Sequence, residues 1–218
     1  AVDNGPENTL PSWPHLLRAE LGALMLGPVL VLAVAYHFDA PLKEPANAMV
    51  PENPAKAPWY FLGVQELVSY SAFMGGVGIP IVCLLGLALI PYLDRERGKV
   101  GVWFEGKEGR HVAAWSFLYS TAIVLGMLFV TIRYGWLRAW FPDISQWVII
   151  LVNPGTVLVL AFAFWSLAVL KFKNSTRFAA IALFTCFLVG FALLTYVATV
   201  HRGPNWGFYW STSDWPVY

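Results

Sequence analysis

The chain has 218 residues, of which 58% are hydrophobic and only 12% charged, with a mean hydropathy of +0.59. A soluble domain carries about 25% charged residues, so the composition excludes an ordinary water-facing globule and indicates an integral membrane protein. The formal net charge of +1 gives no electrostatic footprint for nucleic acid.

A membrane-crossing helix needs about 20 apolar residues. Five segments read as spans: 16–38, 75–93, 112–134, 154–170 and 178–200. The expected fold class is therefore all-α, an integral membrane protein with about five transmembrane helices. Between the first two spans runs a polar connector in which Pro41, Pro45, Pro51, Pro54 and Pro58 prevent a helix. From Trp59 the pattern changes. Phe61, Val64, Leu67 and Val68 recur at helical spacing with Gln65, Glu66 and Ser69 between them, which predicts a short amphipathic helix on the outer membrane surface, ended by Gly75 and Gly76.

Further along, Asn153-Pro154-Gly155 reads as an N-cap followed by proline at the first helical position. Residues 135–152 are accordingly expected as a partly interfacial connector and not as part of the fourth span. Many of the 11 Trp and 9 Tyr fall near span ends, as an interfacial aromatic belt requires. Cys83 and Cys186 each sit within an apolar run, and no Cys-x-x-Cys-His is present, so covalent attachment of a c-type haem is not expected.

Lys and Arg counts orient the spans. One set of ends holds Arg18, Arg95, Arg97, Lys99, Lys107, Arg110, Lys171, Lys173 and Arg177, and the other holds Lys43, Lys56, Arg133, Arg138 and Arg202. Nine against five places the N-terminus on the cytoplasmic side. The first connector and the C-terminal tail then face outward. The mixed-sign run 94–99 reads as a solvated turn.

Three motifs recur in a specific order: Glu44-Pro45-Ala46-Asn47, then Pro58-Trp59-Tyr60-Phe61-Leu62, then Ile90-Pro91-Tyr92. With Trp13-Pro14-His15 before the first span, the stretch from Leu10 to Pro142 resembles the C-terminal half of cytochrome b, including subunit IV of cytochrome bf complexes. The resemblance implies two parts. Residues 1–142 form a cytochrome b C-terminal-like domain with three spans and the surface helix. Residues 143–218 add two further spans and an aromatic-rich outer tail.

That family uses the connector as part of an outer quinol-oxidising site, which implies that Pro58, Trp59, Tyr60, Phe61 and Val64 bind quinol. The family motif is Pro-Glu-Trp-Tyr, whereas here Ala57 and Pro58 stand in place of its Pro and Glu. A proton acceptor must lie within hydrogen-bond reach of the quinol hydroxyl or one water away, and proline cannot serve. Glu66 is the first candidate, seven residues after Trp59 and nearly on the same helical face. Glu52, on the proline-rich approach, is the second. The missing motif Glu points toward a bacterial menaquinol-type enzyme.

A b haem between two helices needs facing His ligands inside the bilayer. His15, His37, His111 and His201 all fall at span ends, so no metal ligand set is expected and this chain alone should ligate no haem. The b haems and the Rieske iron–sulfur cluster are expected in partner subunits: a haem-bearing cytochrome b N-terminal-type subunit and a Rieske protein, with a cytochrome c-type acceptor, in a dimeric complex of the bacterial inner membrane. The implied function is that of a subunit of a quinol:acceptor oxidoreductase, inactive alone. The alternative is a non-catalytic scaffold subunit of another electron-transfer complex. A transporter is disfavoured because the spans carry almost no charge near the midplane.

Overall fold

The computed structural model describes residues 12–38, 45, 47, 49, 52–93, 104 and 106–216. The run 94–99, and Glu44 and Ala46 of the Glu44–Asn47 motif, lie outside the described residues. The chain forms two compact units that divide between Pro51 and Glu52.

In the first unit a π-helical turn, Ser12–Leu16, leads into helix α1, Leu17–His37. Leu21, Leu24, Leu26, Val29, Leu30 and Leu32 of α1 are all exposed. A helix apolar all round belongs in lipid or in a larger core, and its intrahelical hydrogen bonds satisfy the backbone where no water is at hand.

The second unit contains α2 (Trp59–Tyr70), a wide turn at Met74–Gly78, α3 (Ile79–Leu93), α4 (Gly106–Tyr134), the short α5 (Leu137–Trp140) and α6 (Gln146–Leu151), then α7 (Pro154–Lys173) and α8 (Thr176–Val200). Its core is a bundle of α4, α7 and α8 around Val124, Met127, Leu128, Leu158, Phe162, Cys186 and Leu194. Interhelical bonds fix the sense of packing. Tyr119 Oη donates to the Ala161 carbonyl (3.0 Å), Trp165 Nε1 to Ser116 Oγ (2.8 Å) and Lys173 Nζ to Glu108 (3.2 Å). Partners descend α7 as they ascend α4, so the two run antiparallel.

Local chemistry sets the helix ends. Asn153 Oδ1 accepts from the Thr156 N–H at 3.0 Å and Pro154 opens α7, as the sequence led us to expect. Asn174, left-handed at φ 49°, closes α7, and Ser175 Oγ caps α8 by accepting from the Phe178 N–H. Asparagine tolerates that conformation better than most side chains do.

Among the described residues, four helical segments are long and apolar enough to cross a membrane: Ser12–His37, Gly106–Trp140, Pro154–Lys173 and Thr176–Val200. The second expected span, 75–93, falls on the helical stretch 74–93, whose apolar part Met74–Ile90 is not among these four. Gly75, Gly76 and Gly78 open its first turn into a π-helix, which weakens that end. The stretch 135–152 forms α5 and α6 and is tied back by Trp136 Nε1 to the Val152 carbonyl (2.7 Å) and Trp140 Nε1 to the Tyr134 carbonyl (3.0 Å). Helix α4, before residue 142, and α7 and α8, after it, share one core.

Candidate functional site

Helix α2 sits at the end of the bundle where α8 finishes. It starts where Pro58 can no longer extend the connector, with the Phe61 N–H donating to the Pro58 carbonyl at 2.8 Å. Gln65 folds the connector back onto the helix. Its Oε1 accepts from the Ala57 N–H and its Nε2 donates to the Ala55 carbonyl, both at 2.8 Å. Lys56 Nζ donates to the Thr199 carbonyl of α8 (2.8 Å). Asn53 and Asn205 exchange two bonds: Asn53 Nδ2 donates to Asn205 Oδ1 (3.0 Å), and the Asn205 N–H donates to Asn53 Oδ1 (2.7 Å).

The face of α2 turned to α8 carries Leu62, Gly63 and Glu66, all buried. Gly63 is there because nothing larger fits: a Cβ would lie 2.9 Å from Thr195 Oγ1 and 3.0 Å from the Phe191 ring. Glu66 is fully enclosed, at 0% exposure. Its Oε2 accepts from Arg202 Nε (3.0 Å) and Trp206 Nε1 (2.9 Å). Its Oε1 accepts from Tyr70 Oη (2.7 Å) and from Arg202 Nη2. The third guanidinium nitrogen, Nη1, donates to the Trp206 carbonyl at 2.9 Å. A bidentate guanidinium–carboxylate pair is among the strongest polar contacts a protein makes.

The pair also shapes its neighbours electrostatically. Burial, then the adjacent Glu66 charge and hydrogen bond, push the Tyr70 hydroxyl well above the usual tyrosine range, so it remains a donor. Burial alone would pull Arg202 down, but the hydrogen bonds and charge of Glu66 outweigh it and hold the guanidinium above its ordinary value.

Arg202 opens a compact tail. The Tyr209 N–H donates to the His201 carbonyl (2.8 Å) and the Gly203 N–H to the Gly207 carbonyl (3.0 Å), closing a small loop. His201 stacks on Phe208 with centroids 5.2 Å apart, and Trp210 meets both rings edge-on. Ser211 and Asp214 form a reciprocal capping box. The aromatics of the tail thus pack on one another and on the end of α8.

The sequence-derived candidates are distributed unequally. Trp59, Tyr60 and Phe61 are 69%, 53% and 56% exposed. Successive rings touch: Trp59 and Tyr60 are perpendicular at 5.7 Å, and Tyr60 and Phe61 are tilted at 5.1 Å. Pro58 is exposed and Val64 half-buried. Glu52 is exposed on the approach. Glu66 does not share an open surface with Trp59. Seven residues return to the same angle on a helix but stand about 10 Å further along its axis, under the Arg202–Trp206 segment. The expected helix after Pro58 is present, but its most polar residue, Glu66, lies on the buried side and its first three aromatics are exposed.

Tyr70, Arg202 and Trp206 were not singled out from the sequence. The available signal was Arg202 following an apolar span directly, with Trp206 four residues on. Among the described residues no group of three His, Cys, Asp or Glu side chains could hold a metal ion. Comparison with protein-family models, with curated proteins and with solved structures yields no match to this chain.

Proposed function

We propose that this chain is a membrane subunit of a cytochrome bc-type quinol-oxidising complex, and that the start of α2 supplies one wall of its outer quinol site. The observation that carries this reading is the exposed Trp59–Tyr60–Phe61 surface, standing at the position where the resemblance puts the quinol motif. Three adjoining rings offer an exposed, stepped aromatic surface, and edge-to-face packing of that kind suits an aromatic head group. The rings are open, so a partner must close the pocket. The haem-bearing cytochrome b N-terminal-type subunit fills that role, with a Rieske protein and a cytochrome c-type acceptor taking the electrons.

Within this reading the two carboxylates divide the work. Glu52 is exposed and is the proton acceptor. Glu66, saturated by four donors, is a positioning residue that holds α2 against α8; it accepts a proton from quinol only if Arg202 withdraws. Lys107, Lys171 and Lys173 lie at the bundle end opposite α2 and the tail. By the positive-inside rule we infer that α2 and the C-terminus face outside in a bacterial inner membrane, and the Lys and Arg bias of the sequence by itself favours a cytoplasmic N-terminus. The absent motif Glu favours menaquinol as substrate.

A specific observation favours a second reading, a non-catalytic scaffold subunit. Pro58 replaces the expected acid, and Glu66 is sealed from any substrate. One preparation separates the two: the complex captured from its native membrane through a tag on this chain. The first reading requires a b-haem absorption spectrum, a Rieske electron-spin signal and quinol oxidation lowered at least about tenfold by Trp59→Ala with Tyr60→Ala. Absence of b haem sinks it. Haem and cluster present with turnover unmoved by those substitutions assigns the scaffold role.

A further inference from the structure

At the opposite end of the bundle an open groove of about 480 Å³ lies between α4 and α7. Exposed His111, Trp115, Phe172 and Lys173 line it together with the more buried Trp165 and Val169. Eight residues separate Lys173 from Trp165, so the groove runs about 12 Å along the helices. One lining ring, Trp165, is held by contacts of its own. Trp165 Nε1 donates to Ser116 Oγ at 2.8 Å, and the ring stacks on Tyr119 with centroids 4.5 Å apart. Trp115 and Phe172 are 65% and 84% exposed, so the groove opens onto the lipid-facing side of the bundle.

Of the groove's own residues Lys173 is the cation, and among the described residues at this end of the bundle Lys107 and Arg110 open α4 and Lys171 closes α7 alongside the acid Glu108. Lys173 pairs with Glu108 at 3.2 Å, but an ammonium has three donors and keeps capacity for another oxygen. An apolar recess beside basic side chains at a membrane boundary matches an anionic lipid and not a zwitterionic one.

We propose that this groove holds one anionic phospholipid, with an acyl chain between Trp115, Trp165 and Phe172 and the phosphate at Lys173 and His111. The site is independent of the quinol reading, since it lies at the other end of the bundle. It differs from the general positive charge of that end because it needs the groove as well as the charge.

The test uses the full chain purified in detergent and presented with phosphatidylglycerol or phosphatidylcholine of identical acyl chains, with bound lipid counted by native mass spectrometry. One phosphatidylglycerol per chain is retained and phosphatidylcholine is lost. Lys173→Gln weakens phosphatidylglycerol binding about fivefold, whereas Lys171→Gln, outside the groove, changes it less than about twofold. Trp115→Ala lowers retention without altering charge. Equal retention of the two lipids, equal losses for the two lysine variants, or unchanged retention in Trp115→Ala each overturns the proposal. Thermal unfolding of each variant verifies that the exposed substitutions leave the bundle folded.

Discussion

Glu66 on α2 and Arg202 just beyond α8 meet as a bidentate ion pair with almost no exposure to solvent, Glu66 at 0% and Arg202 at 8%. The contact joins residues 136 positions apart and fastens the surface helix to the tail. Both carboxylate oxygens have two donors, and the guanidinium makes a further bond to the Trp206 carbonyl. Removing two charges from water is expensive, and their attraction repays it only when geometry and the remaining hydrogen bonds are complete. Here they are complete, so the pair defines where α2 sits as well as holding it there.

Breaking the pair from one side should therefore be costly. Arg202→Ala leaves a buried carboxylate with only Tyr70 and Trp206, and we expect a loss of about 3–5 kcal/mol. Glu66→Gln retains acceptor capacity at one oxygen and places an amide donor against the guanidinium, so the loss is of similar sign. The combined Glu66→Leu and Arg202→Met variant should lose less than Arg202→Ala alone, because no charge is left unpaired. Thermal unfolding in detergent, followed by the loss of helical circular dichroism, measures the ordering. A double variant less stable than both singles would contradict it.

The sequence disclosed the spans and little of what joins them. Hydropathy located α1, α4, α7 and α8, and Asn153-Pro154 marked the start of α7, because lipid exposure and capping are local properties. The second expected span is helical over 74–93, but its first turn, Met74–Gly78, is π-helical, a geometry that hydropathy does not signal. The burial of Glu66 was not legible: helical periodicity gives an angle about an axis, not which neighbour covers that height on the helix. Arg202 comes from the far end of the chain, and no spacing rule connects it to α2.

Tyr70 gives the site a pH signature. An unfolded tyrosine loses its proton near its ordinary value of 10.0, whereas burial and the Glu66 charge keep Tyr70 protonated to higher pH in the folded protein. Above pH 10 the folded state thus binds more protons than the unfolded state, and stability falls as pH rises. Below pH 10 the contribution is fully present and constant. Tyr70→Phe should cost about 1 kcal/mol at neutral pH for the lost hydrogen bond and should flatten the decline above pH 10 relative to the unaltered chain. Parallel slopes for the two proteins, followed by chemical unfolding from pH 8 to 11, would remove Tyr70 from the account.

The aromatic start of α2 should behave as a surface. Trp59 and Phe61 are more than half exposed, so Trp59→Ala or Phe61→Ala is expected to change stability of the isolated chain by less than about 0.5 kcal/mol. The same substitutions should reduce assembly with partner subunits or quinol turnover of the complex. Measuring unfolding and co-purification on the same variants separates the effects. A large loss of stability in the isolated chain would mean that these rings hold the fold.

Gly63 tests how closely α2 must approach α8. The space for a Cβ is blocked by Thr195 Oγ1 at 2.9 Å, the Phe191 ring at 3.0 Å and the Phe191 carbonyl oxygen at 3.2 Å. The backbone oxygen cannot swing aside as a side chain can. Gly63→Ala should force the helices apart, at about 1–3 kcal/mol for overpacking, and lengthen the Glu66–Arg202 contact on the same face. Gly76→Ala is the control, because its Cβ would meet only Val68 Cγ2 at 4.0 Å. We expect Gly63→Ala to lower the unfolding midpoint and speed protease cleavage within 52–58, where the connector leans on α2. Gly76→Ala should leave both near their original values. Equal behaviour of the two variants would show that the α2–α8 contact is loose enough to absorb a methyl group, and that the ion pair alone holds the helix.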